Sequence, residues 1–401
     1  MNDVSPLQIT LAQINPIVGD IDGNATKILS IYNDHKDRTD LIIFPEMCLS
    51  GYQAEDLTIH KQFNHQIKKI IETIEKKVNS ECGILIGAPI EDKNSALLIY
   101  KGKTHHLTHK YELPNYGVFD EQRVFAPGDL PDITVFKGHK LGIGICEDFW
   151  FPTVAAHLKS QGAEILISLN GSPFDVHKSA KRKRIVRKRV TETTLPFIYV
   201  NQVGGQDGLT YDGGSFIMGS DGKVTAQLPF FETSCVNAQD NIIAPTPDTN
   251  AATYGALTLG LRDYVDKNGF KGVILGLSGG IDSAISAVIA VDALGADRVH
   301  CVMMPSPYTS QESLDDAQEL AINLGCKYDI IPIDPAMNAY NQMLDTPDGI
   351  TAENIQSRAR GMSLMALSNR DGFMVLTTGN NLKWRLGTLR FMATRAVGST
   401  P

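Results

Sequence analysis

Short β-branched runs alternate with amphipathic stretches along most of this chain, and that alternation limits the folds open to it. LIIFPE (41–46) and GILIGAPI (83–90) have the composition of buried strands, whereas FNHQIKKIIETIEKKV (63–78) repeats its apolar residues at helical spacing. The segment NIIAPTPDTNAAT (241–253) is rich in Pro, Asn and Thr and interrupts the series. The pattern predicts an α/β fold in which helices cover sheets.

After the interruption the series restarts with a helix and then the strand-like runs GVILGLS, HCVMMPS and YDIIPI, which helical segments separate. That order is typical of a parallel, Rossmann-like sheet. We therefore predict one domain over residues 1–242, a linker over 243–253 and a second domain over 254–380. Residues 381–401 form a tail without a closing helix or strand pattern.

Charge and cysteine content disfavour several classes of function. The formal net charge is −8, so nucleic acid and anionic membranes are not expected partners. No apolar run approaches the ~18 residues of a membrane span, and the start MNDVSPLQIT does not resemble a secretory signal. The six Cys have no C-x-x-C spacing, which predicts reduced thiols in a cytoplasmic protein, with any functional Cys acting alone.

Glu46, Lys110 and Cys146 form the first candidate constellation. Glu46 and Cys146 follow strand-like runs, and Lys110 lies in the aromatic, charged loop THKYELPNYGVFDEQRVFAPG. A thiol that attacks an amide needs a base for its proton, a cation for the oxyanion and a strand end that fixes it. Each residue also has an ordinary alternative, since a Cys after a strand is often a packing residue and a Glu there is often a solvated cap.

Together, FPE, LPNYGVFDE, GICEDFW and NGSPF resemble the nitrilase-type glutaminase domain of glutamine-dependent NAD⁺ synthetases. The resemblance covers about Leu7 to Asn241 and implies an α-β-β-α sandwich with a Glu-Lys-Cys triad. It implies that Glu46 is the general base, that Cys146 is the nucleophile and that Lys110 stabilises the tetrahedral intermediate.

The same resemblance implies that Tyr116, Ser172 and Lys178 bind glutamine, and that Glu121 is a second acid beside the triad. Lys178 also begins a charged run, because eight of the twelve residues from Lys178 to Arg189 are basic. In an acidic protein this run predicts a solvated helix face, with a nucleic-acid patch as the alternative.

The second constellation is SGGIDS (278–283), which lies between a strand-like run and a helix. Its glycines let the backbone approach a phosphate chain, and the hydroxyls and the helix N-terminus favour the anion. Asp282 would repel a bare phosphate, so its presence predicts an intervening Mg²⁺ ion. The ordinary alternative is a glycine-rich turn with an Asp or Ser helix cap.

SGGIDS resembles the PP-loop of ATP pyrophosphatases, and TAENIQSRARGMSLMALSN and VLTTGN resemble later segments of NAD⁺ synthetases. The resemblance implies that Asn354 and Arg358 face the deamido-NAD⁺ substrate, with Arg360 as a weaker candidate. It implies an ATP site made of Gly276, Leu277, Ser278, Gly279, Gly280, Ile281, Asp282, Ser283 and Thr378.

The two resemblances together imply a two-part reaction. The first domain hydrolyses glutamine through a Cys146 thioester, the second adenylates deamido-NAD⁺ with ATP and Mg²⁺, and ammonia displaces AMP to give NAD⁺. The family also implies a homo-oligomer. Two alternatives stay open: a stand-alone nitrilase-type amidase with a vestigial ATP-binding segment, and a non-enzymatic nucleotide-binding protein.

The tail after Asn380 departs from the family pattern, which continues there with Lys-Ser-Glu. With suitable synonymous codons, a shifted frame from the third base of codon 381 spells Ser-Glu-Met-Ala-Val-Gly-Tyr-Ala-Thr-Phe-Tyr-Gly-Asp, which is the family's text, and the single codons of Trp384 and Met392 fit it. We therefore hypothesise a frameshift after Asn380, which the DNA around that codon decides. On this hypothesis the Rossmann-like domain is truncated, and the chain retains at most glutaminase activity.

Overall fold

The computed structural model describes residues 5–345 and 348–377. The chain divides into two compact units, Met1–Ala256 and Leu257–Pro401. Helix α5 (Thr249–Lys267) begins inside the segment predicted as a linker, so the second half of that segment is helical instead. The reason is a helix cap, because the Asp248 carboxylate accepts the backbone N–H groups of Asn250 and Ala251, each at 2.9 Å.

Two six-stranded sheets form the centre of the first unit. The first sheet has the order β14-β1-β2-β3-β4-β5 and consists of β1 (Ile9–Gln13), β2 (Leu41–Ile43), β3 (Gly83–Ile90), β4 (Lys93–Tyr100), β5 (Lys103–His109) and β14 (Ser234–Asn237). The second has the order β13-β12-β9-β8-β7-β6 and consists of β6 (Thr134–Phe136), β7 (His139–Ile145), β8 (Ile165–Asn170), β9 (Phe197–Asn201), β12 (Phe216–Met218) and β13 (Val224–Gln227). A separate hairpin joins β10 (Val203–Gln206) to β11 (Leu209–Asp212).

Alternating side chains on these strands pack into two different cores, one on each face of the sheet. Because both faces are buried, the strand sequences are apolar throughout. In β2, Leu41 and Ile43 face the second sheet, whereas Ile42 packs in the core under the helices. The helices that cover the two outer faces are α1 (Ile21–His35) and α2 (Lys61–Lys77) on the first sheet, and α3 (Pro152–Ser160) and α4 (Lys178–Thr193) on the second. The predicted α-β-β-α sandwich is therefore confirmed.

The second unit contains a parallel four-stranded sheet in the order β17-β16-β15-β18. Its strands are β15 (Val273–Gly276), β16 (Val299–Met303), β17 (Lys327–Ile330) and β18 (Met374–Val375), and its helices are α6 (Ile281–Leu294), α7 (Gln311–Leu324), α8 (Asp334–Met343) and α9 (Gly349–Asp371). Strand and helix alternate as predicted up to β17, so the parallel-sheet prediction is confirmed. In neither described stretch is a helix both long and apolar enough to cross a membrane.

Gly87 in β3 packs against the backbone of the segment that follows β2, and a substitution at Gly87 tests how close that packing is. An alanine there would place its Cβ 2.2 Å from Met47 N and 2.8 Å from the carbonyl carbon of Glu46. Because both contacts are with backbone, we expect Gly87→Ala to lower the free energy of unfolding by about 1–3 kcal/mol, measured by denaturant titration. Gly208→Ala is the control, since nothing lies within 4 Å of its added Cβ; equal effects of the two changes would contradict the prediction.

Candidate active sites

Three strand ends of the first unit bring Glu46, Lys110 and Cys146 together. Glu46 lies shortly after β2, Lys110 directly after β5 and Cys146 directly after β7. The side chains of Glu46 and Lys110 are completely buried, and Cys146 is only 5% exposed. Strands β2 and β7 pair in parallel with β3 and β8, whereas β5 pairs antiparallel with β4, and in each case the segment after the strand carries the reactive group.

Lys110 lies between two carboxylates. Its Nζ donates to Glu46 Oε1 at 2.7 Å and to Glu121 Oε1 at 2.9 Å. Asn94 Nδ2 also donates to Glu46 Oε1, at 2.8 Å, and the backbone N–H of Gly171 donates to Glu46 Oε2 at 2.7 Å. An ammonium group has three N–H donors, so these two bonds leave one for another acceptor.

Burial and charge act against each other in this network. Burial lowers the pKa of Lys110, but the carboxylates of Glu121 and Glu46 outweigh it and hold that pKa well above its ordinary value. Burial raises the pKa of Glu121, and the Glu46 charge adds to this effect, whereas Lys110 opposes it. Lys110 is therefore a fixed cation, which is what an oxyanion requires.

Cys146 occupies a strained position at the end of β7. Its φ is +46°, a left-handed conformation that non-glycine residues rarely adopt. Burial raises the pKa of its thiol well above the ordinary value, the Glu46 charge raises it further, and Lys110 opposes both. The resting thiol is therefore protonated, and attack on a substrate requires a base to take that proton.

Asp148 connects the turn that carries Cys146 to the loop that carries Lys110. Its Oδ2 accepts the backbone N–H of Ile145 at 2.8 Å, and its Oδ1 accepts those of Tyr111 and Glu112 at 2.9 and 2.8 Å. Burial raises the pKa of this carboxyl to about 7, while its three N–H donors oppose the rise. One carboxylate thus connects the residues directly adjacent to Cys146 and Lys110.

Two of the residues predicted to bind glutamine lie on one side of Cys146. The Tyr116 hydroxyl donates to Glu147 Oε1 at 2.9 Å, and Glu147 directly follows the nucleophile. Lys178 Nζ lies 4.7 Å from the centre of the Trp150 ring. Burial lowers the pKa of Lys178, whereas the nearby Cys146 raises it. A carboxylate and an ammonium therefore stand close to the thiol.

Ser172, the third predicted glutamine-binding residue, follows β8 and is fixed by a buried arginine. Arg182 donates from Nε to Ser172 Oγ at 3.1 Å and from Nη2 to the Ser172 carbonyl at 2.7 Å, and it pairs with Asp212 Oδ1 at 2.7 Å. Arg182 and Arg189 are 4% and 1% exposed. The prediction that the basic run is a solvated helix face is therefore wrong for these two residues, because they face the sheet.

Sequence reasoning overlooked Asn94, Tyr52 and Glu147. The Tyr52 hydroxyl donates to Glu121 Oε1 at 2.7 Å, and Asn94 binds Glu46 as described. Glu147 lies inside the GICEDFW motif, where its position beside the nucleophile was a usable signal. Asn94 and Tyr52 lie in segments without such a signal, and only the packing of distant segments brings them to the site.

In the second unit, the first half of SGGIDS lies in the loop between β15 and α6, and the second half forms the first turn of α6. Ser283 Oγ donates to the Gly280 carbonyl at 2.8 Å and accepts the Ser278 N–H at 3.2 Å. The helix begins after Gly280 without a side-chain cap, so the alternative of an Asp or Ser cap at this position is not what forms. Gly279 has a φ of +78° and passes close to Ser313.

A cleft of about 580 Å³ opens at the carboxyl ends of β15, β16 and β18, the edge at which open α/β sheets bind ligands. Gly276, Leu277 and Ser278 line it, together with Arg360 and Thr377. The other predicted loop residues, Gly279, Gly280, Ile281, Asp282 and Ser283, continue from this lining into the first turn of α6.

Two of the remaining predicted residues, Asn354 and Arg358, do not line this cleft, and a third, Thr378, lies outside the described residues. Asn354 and Arg358 are exposed on α9, whereas Arg360, the weaker candidate, lines the cleft and donates from Nε to the Met304 carbonyl at 3.0 Å. Thr378 lies outside the described residues, as does the tail 381–401, so the frameshift stays a hypothesis.

Asp282 can supply one carboxylate to a metal ion. It is exposed in the first turn of α6, and Mg²⁺ at phosphate sites commonly takes one or two carboxylates plus substrate phosphates. Among the described residues, no group of three or more His, Cys, Asp or Glu side chains is arranged to hold a metal. The donor present therefore fits an ion that arrives with a phosphate ligand.

Two family models match the chain, carbon-nitrogen hydrolase over residues 8–243 and NAD synthase over residues 253–390. The glutamine-dependent NAD(+) synthetase of Rhodobacter capsulatus is 42% identical, over 98% of this chain and 75% of its own length. The synthetase of Acinetobacter baylyi is 40% identical, over 95% and 74%. The chain belongs to the glutamine-dependent NAD(+) synthetase family.

Solved structures agree with this assignment. A glutamine-dependent NAD⁺ synthetase from Acinetobacter baumannii, in complex with adenosine diphosphate, matches with a TM-score of 0.89 and 39% identity, over 94% of this chain and 75% of that one. An amidase from Nesterenkonia sp., at 21% identity and a TM-score of 0.52, shares the fold of the first unit, covering 59% of this chain and 94% of its own.

Family membership decides between several predictions. The protein is a carbon–nitrogen ligase that carries both the glutaminase and the synthetase domain, and ATP use follows from the family. The prediction that the chain retains at most glutaminase activity is not supported, because the NAD synthase match extends to residue 390, and the stand-alone amidase is not favoured. The homo-oligomer and the cytoplasmic location stay predictions.

A substitution at Gly279 tests whether ATP binding depends on the backbone conformation of the SGGIDS loop. An added Cβ would lie 2.5 Å from the Ser313 carbonyl oxygen, and a positive φ costs a non-glycine residue about 1–2 kcal/mol. We expect Gly279→Ala to weaken ATP binding at least tenfold, measured by calorimetry on the full chain.

Gly269→Ala is the matched control, since Gly269 has a φ of +72° but nothing within 4 Å of an added Cβ. It reproduces the backbone strain without the collision. Equal ATP affinity of Gly279→Ala and the unmodified chain would refute a close backbone approach at this loop.

Proposed function

We propose that this chain converts deamido-NAD⁺ to NAD⁺, with ATP as the energy source and glutamine as the nitrogen source. The buried Lys110 carries the proposal, because its bonds to Glu46 and Glu121 fix a cation and a base beside the Cys146 thiol. The same chain carries an SGGIDS loop at a cleft of ligand size.

In the glutaminase half, Glu46 takes the proton of the Cys146 thiol, and the sulfur attacks the carboxamide carbon of glutamine. The remaining N–H of the Lys110 ammonium stabilises the oxyanion of the tetrahedral intermediate. The C–N bond breaks, the proton that Glu46 holds goes to the nitrogen, and ammonia leaves. Water then attacks the thioester, giving glutamate and restoring the thiol.

In the synthetase half, the loop from Gly276 to Ser283 and Thr378 binds ATP, and Asn354 and Arg358 bind deamido-NAD⁺. When bound, Mg²⁺ neutralises phosphate charge, and Asp282 would supply its protein ligand. The nicotinate carboxylate attacks the α-phosphorus of ATP and pyrophosphate leaves. Ammonia then attacks the adenylated carboxyl carbon, and AMP leaves to give NAD⁺.

A comparison of two nitrogen sources tests the proposed function. The full chain is assayed for NAD⁺ with deamido-NAD⁺, ATP and Mg²⁺, once with glutamine and once with ammonium chloride. We expect activity with both, and we expect Cys146→Ala to lose only the glutamine-dependent reaction, because ammonium bypasses the thiol. Absence of NAD⁺ with either nitrogen source would refute the proposal, and glutamine-dependent activity of Cys146→Ala would refute the role of the thiol.

Glutamine carries an ammonium and a carboxylate, and we propose Glu147 and Lys178 as their partners. Glu147 is 5% exposed and accepts the Tyr116 hydroxyl at 2.9 Å. Hydrogen bonds between charged groups contribute about 1.5–3 kcal/mol, so Glu147→Gln should raise the KM for glutamine roughly ten- to hundredfold in the glutaminase assay.

Tyr116→Phe is the matched control, because it removes only the hydroxyl that orients the carboxylate. We expect a smaller rise in KM for this variant and unchanged ammonium-dependent activity for both. A KM for glutamine in Glu147→Gln equal to that of the unmodified chain would show that another group binds the ammonium.

A further inference from the structure

Two buried side-chain oxygens near the triad have no hydrogen-bond partner among the described protein atoms. They are the Tyr211 hydroxyl and Gln202 Oε1, on residues that are 1% and 2% exposed. Asn94 Oδ1 and Glu121 Oε2 also have no such partner, but both residues already bind within the Glu46–Lys110 network, and Glu121 Oε2 lies 2.9 Å from Lys110 Nζ. Buried polar groups are almost always paired, and an unpaired one costs about 1–3 kcal/mol. Two such atoms on residues that contact the same residue, Tyr52, therefore require an explanation.

Both residues contact Tyr52, which belongs to the catalytic network. Gln202 Nε2 donates to the Tyr52 carbonyl at 3.3 Å, and the Tyr211 ring meets the Tyr52 ring edge-on with centroids 6.3 Å apart. The Tyr52 hydroxyl itself donates to Glu121 Oε1 at 2.7 Å. Tyr211 also packs in one cluster with Met47, the neighbour of Glu46.

Burial and charge determine the protonation state of the Tyr211 hydroxyl. Burial raises the pKa of this hydroxyl well above the ordinary value, and the charges of Glu46 and Cys146 raise it further. The hydroxyl is therefore neutral and can both donate and accept, whereas Gln202 Oε1 can only accept. A molecule that satisfies both must donate at least one hydrogen and must be small.

We propose that Tyr211 and Gln202 hold the water molecule that hydrolyses the Cys146 thioester. Water can donate to Gln202 Oε1, exchange a hydrogen bond with the Tyr211 hydroxyl and give its proton to Glu46, and buried waters typically have two to four such polar partners. The water oxygen forms a bond to the acyl carbon, the C–S bond breaks, and Glu46 returns the proton to the sulfur. Tyr211 and Gln202 are thus positioning residues, and their role rests on the proposed glutaminase function.

Tyr211→Phe tests this role because it removes one oxygen and leaves the ring. We expect the kcat of glutamine hydrolysis to fall about tenfold, because the variant loses one to two hydrogen bonds in the transition state. Mass spectrometry of the intact chain during turnover should show the glutamyl thioester accumulating, since deacylation alone is slowed. Added hydroxylamine, which does not need this site, should then divert more of the thioester to the hydroxamate than in the unmodified chain.

Two results for Tyr211→Phe would contradict the proposal. If the unpaired hydroxyl has no role, Tyr211→Phe leaves kcat and thioester level unchanged and raises the thermal midpoint, and the proposal falls. A lower kcat without thioester accumulation also overturns it. Tyr328→Phe is the control, because it removes another buried, unpaired hydroxyl from the second unit and should leave hydrolysis unchanged.

This experiment separates the two proposals. If the unmodified chain forms neither glutamate nor a thioester, the proposed function fails and this inference fails with it. If the unmodified chain hydrolyses glutamine and Cys146→Ala does not, the proposed glutaminase function stands. A Tyr211→Phe variant with an unchanged kcat then refutes only the water-binding role of Tyr211.

Discussion

The ammonium of Lys110 is a buried charge, and the glutaminase half of this enzyme is organised around it. Removing such a charge from water costs several kcal/mol, which only close counter-charges and further hydrogen bonds can offset. Glu46 and Glu121 provide these, and they come from segments far apart in the chain. The same contacts that stabilise the fold therefore hold the proposed base, Glu46, and the cation Lys110 in place for the proposed nucleophile, Cys146.

Cys146 illustrates how this environment shapes reactivity. Its thiol has a raised pKa, the opposite of a permanently ionised, easily oxidised cysteine. In the proposed mechanism the thiolate therefore forms only when Glu46 takes the proton during attack, and the low dielectric of the buried site would strengthen the action of Lys110 on the oxyanion. Asp148 keeps the elements aligned, because it binds backbone next to both Cys146 and Lys110.

The proposed ATP site of the second unit rests on a different physical principle. Its loop is shaped by backbone conformation, with Gly279 at positive φ and close to Ser313, and it leads into a helix whose N-terminus favours anions. Such a site would need little buried charge, because an ATP ligand would bring its own phosphates and cation. The region around Lys110 therefore depends on the pairing of buried charges, whereas the SGGIDS loop depends mainly on the absence of side chains.

The sequence by itself determined the layers and the contiguous motifs. Strands buried on both faces must be apolar throughout, and the groups around Cys146 and in SGGIDS are neighbours in the chain, so local patterns reveal them. Tertiary structure alone decided that Asn94 binds Glu46 and that Tyr52 binds Glu121, since no local pattern encodes a contact between distant segments. It also decided that Arg182 is buried within a basic run: its partner Asp212 lies on another element, and composition cannot indicate which charges of a helix face the sheet.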